Sequence, residues 1–132
     1  MKEDFLLRNK VNEFIKTVAL GQVKAFYPSA VAKYTKTSSN QVFPKLINSA
    51  QNEEIELLWE VRCPDFECGN IVDVSKEKNF DHNLICDKCG NEFKTMELDF
   101  FPRFVINPYY KEALREADSD KKKQQIPFIK MY

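Results

Sequence analysis

The chain of 132 residues can hold one compact domain or two very small ones, which excludes a large multidomain enzyme. With 43% hydrophobic and 30% charged residues it is too apolar for disorder, yet it has no apolar run near the roughly 18 residues that cross a bilayer. Its formal charge of zero divides unevenly: 8 Lys/Arg against 3 Asp/Glu in residues 1–50, 5 against 13 in 51–101, and 7 against 4 in 102–132, so only the outer blocks suit a phosphate backbone.

Met1-Lys2-Glu3-Asp4 lacks the apolar stretch of an export signal, so a soluble, cytoplasmic protein without membrane contact is expected. From Asp4 to Leu20, Phe5, Leu6, Val11, Phe14, Ile15, Val18 and Ala19 recur at three- and four-residue intervals, the pattern of an amphipathic helix. Gly21 is a stop or kink, and Val23 to Phe26 are expected to add a further turn. Pro28 suits the first turn of a second helix through Tyr34. Ser38-Ser39-Asn40-Gln41 fits a capping box, with Ser38 as N-cap and Gln41 three positions on, opening a third helix whose apolar face is Val42, Phe43, Leu46, Ile47 and Ala50. Pro44 removes one backbone hydrogen bond there and is expected to kink or split the helix.

The stretch from Val31 to Ile47 resembles a helix-turn-helix. Small Ala32 stands where two helices would cross, a Thr-Ser turn opens the second helix, and Val42 and Leu46 face inward, while Lys36 occupies the turn position where glycine is preferred. The alternative is an ordinary three-helix packing unit. The resemblance implies DNA contacts from Ser39, Asn40, Gln41 and Lys45 on the recognition helix and from Lys33 and Lys36 beside it. Asn and Gln can read adenine bidentately and lysines suit phosphates.

Glu54 to Arg62 alternates as a strand and runs into Cys63-Pro64-Asp65-Phe66-Glu67-Cys68; Cys86-Asp87-Lys88-Cys89 follows after 17 residues. Two short-spaced pairs on either side of a hairpin's length of chain are what a tetrahedral metal site needs. Both pairs continue as Cys-Gly-Asn, and a glycine there frees the backbone to aim amides at the sulfurs. The residues from Trp59 to Phe101 resemble the zinc ribbon family, with Cys-Pro at the first knuckle and Cys-Gly-Asn-Glu-Phe after the second; the first knuckle holds four intervening residues where two are usual. One structural zinc ion on Cys63, Cys68, Cys86 and Cys89 is expected, since in a chain without an export signal the disulfide alternative is disfavoured. Four thiolates leave no open position on the metal. His82, the sole histidine, is read as a solvent-facing loop residue or else as a donor beside the site or a stray ligand. With no histidine and no cysteine to spare, no nucleophile set can be assembled, so an enzyme and a small-molecule substrate are not expected.

Phe93 to Phe101 alternates again, Arg103 to Ile106 adds a further strand, Asn107-Pro108 breaks it, and Tyr109 to Gln125 reads as a helix. The apolar end, Ile126 to Tyr132, calls for docking on the domain or on a partner. The expected class is α+β: a three-helix winged helix-turn-helix over 1–57, an antiparallel zinc ribbon over 58–101 that follows or elaborates the wing, and a C-terminal strand, helix and tail over 102–132. Two functions fit. One is a DNA-binding regulator of transcription that uses the basic first block. The other is a protein-protein adaptor working through the acidic ribbon or apolar C-terminus, since small proteins of this architecture resemble subunits of larger bacterial assemblies such as defence or toxin systems. RNA binding is a lesser third.

Overall fold

The computed structural model describes residues 2–130, and for residue 98 and residues 121–130 only the course of the backbone. Among the described residues the chain forms four α-helices and six strands: α1 (Lys2–Leu20), β1 (Ala25–Phe26), α2 (Pro28–Thr35), α3 (Ser39–Gln51), β2 (Ile55–Arg62), β3 (Ile71–Ser75), β4 (Asn83–Ile85), β5 (Glu92–Lys94), β6 (Phe100–Ile106) and α4 (Pro108–Lys130). It is a mixed α+β fold with an antiparallel sheet. No helix among the described residues is long and apolar enough to cross a membrane.

Local signals account for the helix boundaries. Pro28 takes the first turn of α2, where its missing N–H costs nothing. Lys36 closes that helix in the left-handed region at φ 59°, the turn position where glycine is preferred. Ser38 then opens α3: its Oγ accepts from the Gln41 amide at 3.2 Å, and Gln41 Oε1 accepts from the Ser38 amide at 3.1 Å. Ser38→Ala is expected to lower the unfolding free energy by about 1 kcal/mol in urea denaturation, and no measurable loss would mean the box does not hold the helix start. α3 runs unbroken through Pro44, contrary to the expected kink or split. Pro44 is exposed and its helix is held from the other side by buried Val42, Leu46 and Ser49.

In α1 the buried positions are Val11, Ile15 and Ala19, with Leu7, Phe14 and Val18 half-buried beside them, whereas Phe5 and Leu6 are exposed. The start of the helix therefore presents Leu7 to the core where the pattern suggested Phe5 and Leu6. The expected turn over Val23–Phe26 is instead β1, which pairs antiparallel with β6 through Ala25↔Val105 and Phe26↔Phe104. The sheet order is β1-β6-β2-β3, and β4 pairs with β5 in a separate two-stranded sheet. β2 and β6 pair along their lengths from Ile55↔Ile106 to Val61↔Phe100. The alternation expected over Phe93–Phe101 is divided among β5, a 3-10 turn at Glu97–Asp99 and the start of β6, which then runs on through Pro102 to Ile106. Pro102 lies beyond the end of β1, where β6 has a strand on one side only, so its missing N–H is tolerated.

The core lies between the helices and one face of this sheet: Val11, Ile15, Phe26, Val31, Val42, Leu46, Ile55, Phe104 and Ile106, with Tyr110 and Leu114 of α4 packed at its edge. Docking of the apolar end, Ile126 to Tyr132, falls on side chains outside the described residues. Residues 63–99 are inserted between β2 and β6, tied back by Lys78 over the Trp59 ring at 4.1 Å and by an edge-on Phe80–Phe100 contact at 5.5 Å.

Candidate metal centre

The two knuckles are built alike. In the first, the Cys68 amide donates to the Asp65 carbonyl at 3.0 Å, Gly69 turns at φ +60°, and the Cys63 amide donates to the Asn70 carbonyl at 2.7 Å. In the second, the Gly90 amide donates to the Cys86 carbonyl at 2.8 Å, Gly90 turns at φ +79°, and the Cys86 amide donates to the Asn91 carbonyl at 2.8 Å. The left-handed conformation after each second cysteine is what only glycine adopts without cost. The longer first knuckle uses its extra residues for a turn in which Asp65 Oδ1 accepts from the Glu67 amide at 3.0 Å.

The four sulfurs converge across the knuckles. Cys63 Sγ lies 3.6 Å from Cys89 Sγ, Cys68 Sγ lies 3.7 Å from Cys86 Sγ, and all four fall within 4.8 Å of one another. An ion with metal–sulfur bonds of about 2.3 Å has tetrahedral edges of about 3.8 Å. The separations are far beyond the roughly 2.05 Å of a disulfide, and all four cysteines are free. The set fits a thiophilic metal ion of tetrahedral preference.

The asparagines lock the halves together. The Asn70 backbone amide serves Cys68 and the Asn91 amide serves Cys89, each within its own knuckle. Their side chains cross over: Asn70 Nδ2 reaches Cys86 Sγ at 3.7 Å, and Asn91 Nδ2 reaches Cys63 Sγ at 4.0 Å. The Cys89 amide, helped by the Lys88 amide and Asn70, outweighs burial and brings the Cys86 thiol down to about 6. At Cys89 the Asn91 amide also lowers the pKa, but lost hydration and the three neighbouring sulfurs outweigh it and push the thiol up to about 12. The Cys86 thiolate thus forms readily while Cys89 resists, the charge conflict that a bound cation resolves. An ion held by all four sulfurs has no open position for water or substrate.

His82 stays outside the cluster. It is exposed in the loop before β4, where its backbone amide donates to Thr95 Oγ1 at 3.1 Å. Buried Thr95 organises that loop, donating its own amide to the His82 carbonyl at 2.9 Å.

Of the residues expected to contact DNA, Lys33, Lys36, Ser39, Asn40 and Gln41 are exposed at the α2–α3 turn. Gln41 is engaged in the helix cap. Lys45 is not free: its side chain is 14% exposed and ion-paired with Asp4 of α1, and the pairing lowers the Asp4 carboxyl. The rest of α3's exposed face, Pro44, Asn48 and Gln51, is uncharged. Sequence reasoning missed a second cluster at Glu60, which is fully buried on β2 beneath Tyr27, Arg62 and Arg103. The alternation Glu56-Leu58-Glu60-Arg62 signals a shared face, but nothing local shows that this face is covered. Comparison with protein-family models, curated proteins and solved structures found no match for the chain.

Proposed function

We propose that the protein is a non-enzymatic, DNA-binding regulator: a winged helix-turn-helix whose wing carries a zinc ribbon held by one structural zinc ion on Cys63, Cys68, Cys86 and Cys89. The observation that carries this reading is the strand order. α1, β1, α2 and α3 lead into the β2–β6 pair, β1 lies beside β6, and the first turn of α3 stands open to solvent. That is the layout in which a recognition helix enters the major groove while flanking elements meet the backbone. Asn40 carries base readout, because Gln41 is committed to the cap. Lys33 and Lys36 contact phosphates, and Lys45, held by Asp4, contributes less.

Titration against duplexes at two salt concentrations tests this. Lys33→Gln and Lys36→Gln should each weaken binding on all sequences and reduce the salt slope by about one unit. Asn40→Ala should cost about 1–3 kcal/mol of sequence preference. Binding no tighter than millimolar at low salt would end the reading.

The adaptor reading would then replace it, favoured by one specific observation. Phe66 at the tip of the wide first knuckle is fully exposed, and Phe80, Ile85 and Met96 are also exposed, on a segment (63–99) with 9 acidic residues against 4 basic ones. An acidic surface with exposed apolar anchors suits a basic protein partner.

A further inference from the structure

Glu60 is the only charged side chain among the described residues that is fully buried. Tyr27 Oη donates to its Oε2 at 2.6 Å, Arg62 donates to its Oε1 from Nη2 at 3.2 Å and from Nε at 3.4 Å, and Arg103 Nη1 lies 3.6 Å from Oε2. Two cations thus share one anion, leaving a surplus positive charge. Arg62 is further fixed by the Phe101 ring at 4.2 Å and the Tyr27 ring at 5.4 Å from its guanidinium carbon. A buried ion pair contributes little to stability relative to apolar residues of the same size, so the arrangement is better explained by what it does to the arginine. Glu60 occupies the Nε–Nη2 edge of the guanidinium and freezes its plane, so a further acceptor would meet its outer Nη1–Nη2 edge.

Arg62 and Phe101 line a cavity of about 320 Å³ together with Ser29, Ser39 and Pro102. Ser39 is the first residue of α3, so this cavity adjoins the α2–α3 turn. Arg62 and Phe101 also line a second cavity of about 500 Å³ with Asp65 and Asp99, whose carboxylates accept from the Glu67 and Met96 amides. Those carboxylates repel an anion there and leave the serine side open to one.

The geometry points to a phosphate site formed by Arg62, framed by Tyr27 and Phe101 and seated on Glu60, that takes a backbone phosphodiester of the duplex engaged by α3. A preorganised, planar, permanently charged fork flanked by hydroxyl donors is what phosphate recognition uses. The duplex as the source of the phosphate rests on the DNA-binding reading; the phosphate chemistry of the site does not.

Two measurements on the full chain test it. In the first, inorganic phosphate is titrated while the Arg62 Nε–H and the Ser29 and Ser39 amides are followed by NMR. In the second, duplex affinity is measured at two salt concentrations for wild type, Arg62→Lys, Arg62→Gln and the double variant Arg62→Gln/Glu60→Gln, which removes the carboxylate that the single change leaves under-neutralised. Phosphate should shift all three signals in wild type and none of the serine amides in the double variant. Each glutamine variant that keeps the wild-type amide spectrum should bind every duplex roughly three- to tenfold more weakly, with a salt slope smaller by about one. Arg62→Lys keeps the charge but loses the fork, and should fall between. If phosphate leaves Arg62 unmoved and the folded double variant binds duplex like wild type, the site is overturned while the α3 reading stands. If phosphate shifts Arg62 but wild type binds no duplex, the phosphate chemistry is supported, and both the duplex as its source and the DNA-binding reading are overturned.

Discussion

Chelation of the proposed zinc is expected to unfold residues 63–99 outside β3 and leave the three N-terminal helices and the β1-β6-β2 sheet folded. Among the described residues of that segment, only Cys63, Cys86 and Thr95 are buried, so the sulfur cluster is its core. β4 and β5 pair over only three residues each, too little to stand alone in water. Structural zinc typically contributes about 10–16 kcal/mol to folding such modules. β2 and β6, in contrast, pair with each other directly and bury Ile55, Phe104 and Ile106 against the helices. Amide exchange should therefore lose protection in β4 and β5 after chelation and keep it in α1, α3 and β6, with Cys86→Ser giving the same pattern. Native mass spectrometry should show one zinc per chain before treatment. Unchanged exchange in β4 and β5 on metal-free protein would refute a structural metal.

Phe104→Ala should destabilise the whole protein by about 3–5 kcal/mol. Its side chain is fully buried, stacked on Phe26 with ring centroids 5.9 Å apart and tilted against Phe43 at 6.0 Å. It belongs to the strand between β1 and β2, so its ring joins elements far apart in the chain. The resulting cavity cannot close without moving a helix off the sheet. Since domains of this size have a stability of about 5–15 kcal/mol, urea unfolding should shift far toward lower denaturant. Phe66→Ala, at the fully exposed knuckle tip, serves as the control and should stay within about 0.5 kcal/mol. A loss below 1 kcal/mol for Phe104→Ala would mean that the core is not organised around this ring.

Features that rest on short-range geometry could be read from the residues alone. The four cysteines and their glycines were legible because a knuckle is a local turn, and only the meeting of two similar turns had to be inferred. The Ser38–Gln41 box, the Pro28 start of α2 and the β2 strand were legible for the same reason. The remaining features depend on contacts between segments far apart in the chain. β1 is two residues long and exists because Ala25 and Phe26 meet Val105 and Phe104, some 80 positions away, so no local pattern could separate it from a turn. The long alternation over Phe93–Phe101 was split because Thr95 is drawn into the loop around His82 while Phe100 and Phe101 join β2. Lys45 has the right residue type and spacing for a phosphate contact, but Asp4 reaches it from α1. Glu60 sits on the strand face that alternation assigns to polar residues, and it is buried because Tyr27 and Arg103 arrive over it from other elements. Periodicity specifies which face a side chain takes; what covers that face depends on segments that only folding brings together.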